Sequence, residues 1–331
     1  MGDEFFFIIS GFYFSQAASN FDERENPFIW NFRQTIKRVR KISIPYFTTW
    51  VICFFGVRFT NIKMGGTNRF FLFDMANSVY ELLFLEMLGF KKGLYSNDVA
   101  WFFSALLIAC FMIGPWIAKY KKSFSLYFTP LIAVFSYGIL SLNFDYLYAP
   151  GRLIANSFIM KGLIRAVAAV CVGVFLNGIV RSGNTQNYIE RIGKKCKAFI
   201  GIADLFLWLI VLTYMVYPFK SRAAETWIQF DYIEVILLAA ALLPVLCDLW
   251  GNVFSEKSER IACKFGRYAF YAYFGQAVFY SVDKLVYSME AGVLTKALIL
   301  NLSIPIISII LATLTTRIRE SIVNSAKKRI I

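Results

Sequence analysis

The stretch from Val99 to Ala118 decides the fold class: it reads VAWFFSALLIACFMIGPWIA and contains no Asp, Glu, Lys or Arg. A helix needs roughly 20 mostly apolar residues to cross a bilayer. Phe124–Phe144 and Ala297–Thr316 are of similar length and are also free of charged residues. We therefore expect membrane-spanning helices, because lipid admits only helices or closed barrels and the sequence lacks the alternating pattern of a barrel.

The composition of the whole chain agrees with this expectation. Of the 331 residues, 58% are hydrophobic and 17% are charged, whereas a soluble domain has about 45–50% apolar and about 25% charged residues. This balance argues against a soluble enzyme, a nucleic-acid-binding protein and a disordered chain. The net charge of +14 is explained by Lys and Arg residues that accumulate in the loops on one predicted side of the membrane.

Six further apolar stretches are shorter or carry a few ionisable groups, and together with the first three they predict nine spans. They are Phe5–Ser19, Ile44–Ile62, Leu163–Val180, Ala198–Tyr217, Tyr232–Trp250 and Tyr268–Tyr287. We expect an all-α, polytopic integral membrane bundle that forms a single domain over residues 1–331. A signal peptide at Phe5–Ser19 is an alternative, although Asp3 and Glu4 stand where a signal carries Lys or Arg.

The loop charges predict the orientation of these spans. Of the 35 Lys and Arg residues, 23 fall in five alternate segments, 20–43, 119–123, 181–197, 251–267 and 317–331. The four segments between them hold nine. Because Lys and Arg accumulate in cytoplasmic loops, we expect a cytoplasmic C-terminus and Met1 outside. The long outer stretch 63–98 contains many aromatic residues and predicts either a helix in the outer interface or a lid on the bundle.

Five short strings carry the most specific information. They are GDEFFFIISGF at 2–12, KRVRKISIPY at 37–46, WFFSAL at 101–106, GLIR at 162–165 followed by Gly173, and GRYAFYAYFGQ at 266–276. The first three also have a plain structural explanation. Ser10 and Gly11 allow close helix packing, Pro45 suits the first turn of a span, and Trp101 suits an aromatic belt.

In this order and spacing, the strings resemble acyltransferase family 3, a family of membrane O-acyltransferases. The resemblance covers nearly the whole chain and implies the topology that the loop charges predict. The matching residues are Gly2, Glu4, Phe6, Phe7, Ser10 and Gly11, then Lys37, Arg38, Lys41, Pro45 and Tyr46, then Trp101, Phe102, Ala105 and Leu106, then Leu163, Arg165 and Gly173, and finally Gly266, Phe270, Tyr273 and Gln276.

The resemblance implies transfer of an acyl group, often acetyl, from acetyl-CoA to a hydroxyl of an envelope polysaccharide or glycolipid at a bacterial cytoplasmic membrane. Acyl-CoA is then a co-substrate rather than a bound cofactor. The candidate residues for binding its phosphates are Arg38, Arg40 and Lys41, since guanidinium groups bind phosphates in a bidentate way. The same residues also serve as topology anchors.

The candidates for the acceptor pocket are Ser10, Trp101, Arg165 and Gln276. Arg165 is explained equally well as a residue of the bundle core. We expect no metal site, because the chain has no His and no CxxC pair.

The chain departs from the family at one point. A general base near neutrality is needed to activate a sugar hydroxyl, and His suits this role. The family supplies a His on its first helix, but this chain contains none and matches the family only from its second helix, at Gly2. We therefore expect the chain to be incomplete at its N-terminus, with ten spans in the complete fold.

The catalytic residues stay unidentified, and the activity of the chain as written stays open. A carboxylate among Glu4, Asp74, Glu81 and Asp98 is an alternative base, although exposed carboxylates are weak bases. Two other functions are considered. A transporter or flippase of envelope glycans would show two related halves with paired broken helices, which the sequence lacks. A non-catalytic assembly partner would retain the fold without the reaction.

Overall fold

The structure, a computed structural model, describes residues 2–65, 71–88, 100–144, 159–183, 194–216, 230–249, 256–289 and 292–328, with isolated positions between these ranges. The described part of the chain is almost entirely helical and contains no strand beyond a single bridge between Leu153 and Met160. Asp98, one of the alternative bases, lies outside the described residues.

Eleven α-helices are present in these ranges. They are α1 (Gly2–Ala18), α2 (Pro27–Lys63), α3 (Phe71–Asn77), α4 (Val79–Leu82), α5 (Ala100–Ser123), α6 (Thr129–Asn143), α7 (Lys161–Val180), α8 (Lys194–Val216), α9 (Phe230–Leu246), α10 (Glu256–Tyr287) and α11 (Val293–Lys328). A 3₁₀ turn covers Glu86–Leu88, and a π-helical turn at Phe124–Phe128 joins α5 to α6.

The prediction of helices is confirmed, since each predicted span lies on a helix over most of its length. Among the described residues, three helical stretches are long and apolar enough to cross a membrane by length and composition, namely Pro27–Lys63, Ala100–Asn143 and Lys161–Val180. Phe199–Thr213 and Leu302–Ile318 are shorter apolar helical segments. Within Ala100–Asn143, Lys121 has φ +35° and ψ −108° and interrupts the helical backbone, inside the short basic segment that the sequence predicts as a loop.

One local prediction is wrong. The helix that contains Pro45 does not begin there but at Pro27. Asn26 caps it, because its Oδ1 accepts a hydrogen bond from the backbone N–H of Phe28 at 2.9 Å, and a proline suits the first helical position. Residues 71–88, in the stretch for which the sequence predicts an interfacial helix or a lid, form two short helices and a 3₁₀ turn.

The chain divides into two compact units. The first comprises Met1–Thr35, Met87–Gly89 and Ser104–Ser255, and the second comprises Ile36–Glu86, Phe90–Phe103 and Glu256–Ile331.

The first unit is built on the packing of α1 against α7. Side-chain contacts join them along their length, Glu4 with Arg165, Ser15 with Asn177 and, just beyond the helix ends, Ser19 with Arg181, and each pair is separated by 161 or 162 positions. This constant separation means that the two helices run parallel. Two glycines allow the close approach, since a Cβ on Gly11 would collide with the carbonyl of Val170 and one on Gly173 with that of Ile8.

The second unit contains another parallel pair, α2 and α10. Cys53 packs with Ala277, a Cβ on Gly56 would press on Ser281, and the hydroxyl of Thr60 donates to the carbonyl of Ser281 at 3.0 Å. The contact positions rise together along both helices, so the helices run in the same direction. Small residues at this interface let the backbones approach closely.

Residues 74–81 run back along α2 in the same unit. Asp74 forms an ion pair with Arg58 at 3.2 Å, whereas Glu81 contacts Trp50 and Tyr46, about two to three turns nearer the N-terminus of α2. The chain after α2 therefore folds back beside the helix that precedes it.

Candidate functional site

The predicted donor residues share one exposed stretch of α2. Arg38 is half-buried, and Arg40 and Lys41 are exposed. They lie in the second unit. Together they form a cationic stretch of this helix.

The predicted acceptor residues are divided between the two units. Ser10 and Arg165 belong to the first unit, and Trp101 and Gln276 belong to the second. Ser10 is half-buried on α1, about 9 Å along the helix axis from Glu4 at a rise of 1.5 Å per residue.

Trp101 and Gln276, the two acceptor candidates of the second unit, each contact a nearby aromatic side chain. Trp101 is only 8% exposed and meets the ring of Phe102 edge-to-face at 6.3 Å. Gln276 is half-buried and donates from Nε2 to the hydroxyl of Tyr280 at 2.7 Å. Stacking of a sugar on Trp101 would therefore require its ring to become more exposed.

Arg165 is the centre of a buried ion cluster that also contains Asp3 and Glu4. The guanidinium donates from Nε and NH2 to the two carboxylate oxygens of Glu4, which is a bidentate arrangement. A third contact at 3.4 Å joins NH2 to Oδ2 of Asp3. Arg165 and Glu4 are buried and Asp3 is partly exposed. The cluster therefore places three charged side chains, two of them buried, at one end of the parallel pair α1 and α7.

The phenol of Tyr137 on α6 lies within electrostatic range of Glu4 and Arg165. Its hydroxyl is buried, and none of the described residues forms a hydrogen bond with it. The ring of Tyr137 meets that of Tyr232 edge-to-face at 5.9 Å. The sequence gives no signal for Tyr137, because a tyrosine in an apolar span is ordinary.

A second buried group, which we call the Glu81 network, consists of Tyr46, Trp50 and Glu81. Trp50 donates from Nε1 to Oε2 of Glu81 at 3.0 Å, and the hydroxyl of Tyr46 donates to the backbone carbonyl of Glu81 at 2.7 Å. Glu81 is fully buried. The expectation that the alternative bases are exposed carboxylates is therefore wrong for both Glu4 and Glu81.

Among the described residues, no group of three or more His, Cys, Asp and Glu side chains is arranged to hold a metal ion. Cys53, Cys110 and Cys171 are buried and Cys263 is exposed, all as free thiols.

Comparison with known proteins identifies no relative, since no family model, curated protein or solved structure matches the chain.

Proposed function

We propose that the chain is a nine-span membrane O-acyltransferase of the acyltransferase family 3 type. In this proposal it transfers an acyl group from acetyl-CoA to a hydroxyl of an envelope polysaccharide or glycolipid. The protein resides in the bacterial cytoplasmic membrane with its C-terminus in the cytoplasm.

The packing of α1 against α7 is the observation that carries this proposal. The first and fourth family strings, 2–12 and 162–173, lie on these two helices, and their residues meet. Glu4 pairs with Arg165, and Gly11 and Gly173 lie at the closest approach. Strings identified independently along the sequence thus account for one interface, as expected if both belong to one family fold.

The helix directions support the proposed topology. The loop charges predict that α1 and α7 both cross from outside to inside, and that α2 and α10 both cross from inside to outside. Each of these pairs runs parallel in its unit. An antiparallel arrangement of either pair would have contradicted the predicted orientation.

The donor site in this proposal is the basic stretch of α2. CoA carries its phosphates and its thioester at opposite ends of a long flexible arm. Arg38, Arg40 and Lys41 would bind the phosphates at the cytoplasmic edge, and the thioester would then extend along α2 into the second unit.

The donor site is tested with acetyl-CoA binding to the purified chain in detergent. We predict that Arg38→Ala weakens binding about tenfold or more, because a hydrogen bond to a charged group contributes about 1.5–3 kcal/mol. Arg33→Ala is the matched control, since it removes the same charge from an exposed position on the same helix outside the family string. Equal binding by the Arg38 variant and the wild type would remove Arg38 from the donor site.

The activity is tested with radiolabelled acetyl-CoA added to membranes that contain the chain. The proposal predicts label in the envelope glycan fraction, above that of membranes without the chain. Absence of label with every glycan acceptor supplied would overturn the proposed reaction.

One observation favours a second function, a non-catalytic assembly partner. The chain has no histidine, and Arg165 neutralises Glu4, the carboxylate of the first family string. Acetyl-CoA binding without transfer, together with retention in a membrane complex, would support this alternative.

A further inference from the structure

Cations bracket three helices of the second unit. They form one pair on each helix, namely Lys41 and Lys63 on α2, Lys264 and Lys284 on α10, and Lys296 and Arg317 on α11. The members of a pair are 20 to 22 residues apart, which corresponds to about 30–33 Å along a helix. This length matches the hydrocarbon core of a bilayer, which is about 30 Å thick.

The sequence between the members of each pair contains few charged residues. The stretch on α11 has none, the stretch on α2 has Arg58, and the stretch on α10 has Arg267 and Asp283, each within one turn of an end. Arg58 forms an ion pair with Asp74. The three stretches therefore suit hydrocarbon, and the bracketing cations suit the headgroup levels, where long basic side chains are placed at low cost.

Contacts between α2 and α10 fix the relative height of these two helices. The hydroxyl of Thr60 donates to the carbonyl of Ser281, 221 positions later, at 3.0 Å. Gly56, one turn earlier, also faces Ser281. Because the helices run parallel, the same offset brings Lys264 level with Lys41 to within about one turn.

Contacts between α10 and α11 extend this register to the third helix. A Cβ on Gly275 would collide with the hydroxyl of Ser308, and Nζ of Lys296 donates to the carbonyl of Tyr287 at 2.9 Å. The contact positions fall along α11 as they rise along α10, so the two helices are antiparallel. The same register brings Arg317 to the height of the basic N-terminal end of α10.

Three exposed cations therefore lie at one height of the second unit, Lys41, Lys264 and Arg317, and we call them the inner cations. In the proposed orientation this height is the cytoplasmic headgroup level. On these three helices the nearest acidic residues are Glu259 and Glu320, which lie further from the membrane core than the inner cations. The inner cations are thus complementary to negatively charged headgroups.

Apolar faces lead up to these cations. On α11, Leu302, Ile306 and Ile310 are exposed at intervals of one turn, and Arg317 follows on the same face two turns later. On α10, Phe265, next to an inner cation in the sequence, is 71% exposed. An exposed apolar face that ends in a cation suits a phospholipid, because acyl chains cover the face while the phosphate meets the cation. A soluble phosphate would use only the cation.

We propose that the inner cations bind the phosphate headgroups of anionic phospholipids in the cytoplasmic leaflet. Each of the three side chains is exposed on its own helix, so each contacts a separate lipid. This binding goes beyond the proposed acyl transfer, and it depends on the proposed direction of α2 and not on the reaction.

The test counts the phosphatidylglycerol molecules that the full chain retains in detergent, by native mass spectrometry at increasing lipid concentration. We expect the wild type to retain phosphatidylglycerol in preference to phosphatidylcholine. Lys264→Gln and Arg317→Gln are each expected to weaken one site about fivefold, the contribution of one cation near an anionic lipid surface. The double variant should therefore retain two fewer phosphatidylglycerol molecules. Lys41 stays unchanged in this test, because it is also a donor candidate.

Lys284→Gln combined with Lys296→Gln is the matched control, since it removes one cation from the other end of each of the same two helices. Asp283 directly precedes Lys284, and Lys296 donates to the carbonyl of Tyr287. Both features lower the attraction for anions, so the control is expected to retain the wild-type number of phosphatidylglycerol molecules.

Three results would overturn the proposal: an unchanged lipid count in the variant of the inner cations, an equal loss in the control, and equal retention of phosphatidylcholine by the wild type. If the double variant does not accumulate in membranes, Lys264→Gln alone decides by the same criteria. Lipid retention is measured without acyl transfer, so a chain that binds phosphatidylglycerol and transfers nothing would overturn the proposed function and leave the role of the inner cations intact.

Discussion

Arg165 illustrates how a single charge is held among apolar helices. Removal of a guanidinium from water costs several kcal/mol, which only good geometry and full hydrogen bonding offset. Glu4 supplies both, because its two oxygens match the fork of the guanidinium. The pair is therefore interdependent, and each member is costly without the other.

We predict that Arg165→Met lowers the free energy of unfolding by about 3–5 kcal/mol, since it leaves the buried carboxylate of Glu4 without its partner. The double variant Arg165→Met with Glu4→Gln is expected to recover much of this loss, because no charge then stays buried. The measurement is the thermal unfolding of the purified chain in detergent, followed by tryptophan fluorescence.

Arg181→Met is the control for this experiment. Arg181 ends the same helix but is exposed and contacts only the hydroxyl of Ser19 among the described residues, so little change is expected. If Arg165→Met proves as stable as the wild type, the ion cluster is not a structural element of the first unit.

The sequence predicts the importance of Glu4 and Arg165 separately, because each lies in a family string. Their pairing could not be predicted, since 161 positions separate them and one sequence carries no signal of contact. The contacts of Glu81 are even harder to predict from the sequence. Its position in the chain suggests an exposed outer loop, and only the packing of residues 74–81 against α2 brings it beside Trp50.

At the scale of the element, Asn31 and Pro115 explain how α5 tolerates a proline in its interior. Proline has no N–H, so the carbonyl of Phe111, four residues earlier, loses its helical donor. Asn31 replaces that donor, because its Nδ2 donates to the Phe111 carbonyl at 2.7 Å. Gly114 makes the approach possible, since a Cβ there would collide with the side-chain amide of Asn31.

We predict that Asn31→Ala destabilises the chain by about 1–3 kcal/mol, the cost of a buried acceptor without a partner. In a Pro115→Ala background the same substitution should cost less, because residue 115 then supplies an N–H to Phe111. A double-mutant cycle of unfolding midpoints in detergent measures this coupling. An equal cost of Asn31→Ala in both backgrounds would show that the two residues act independently.

The helices themselves could be predicted, because long runs of apolar residues leave a chain in lipid few alternatives. The ends of these helices could not be predicted. α2 begins at Pro27 and α11 continues to Lys328, well beyond the apolar stretches, because polar residues with good helix propensity prolong a helix once it has formed. Asn26 and Pro27 together are a usable start signal.

At the scale of the whole molecule, the central claim is the threading of the chain through the bilayer. The basic segments alternate with segments poor in Lys and Arg, and the parallel pairs α1–α7 and α2–α10 are compatible with that alternation. The proposed donor site requires α2 to cross from inside to outside.

A reporter inserted after Asn20, after Lys121 or after Met64, one site at a time, tests this claim most directly. We predict cytoplasmic reporters at Asn20 and Lys121 and an external reporter at Met64. Reporters after Asn20 and Lys121 on opposite sides of the membrane would contradict the proposed threading.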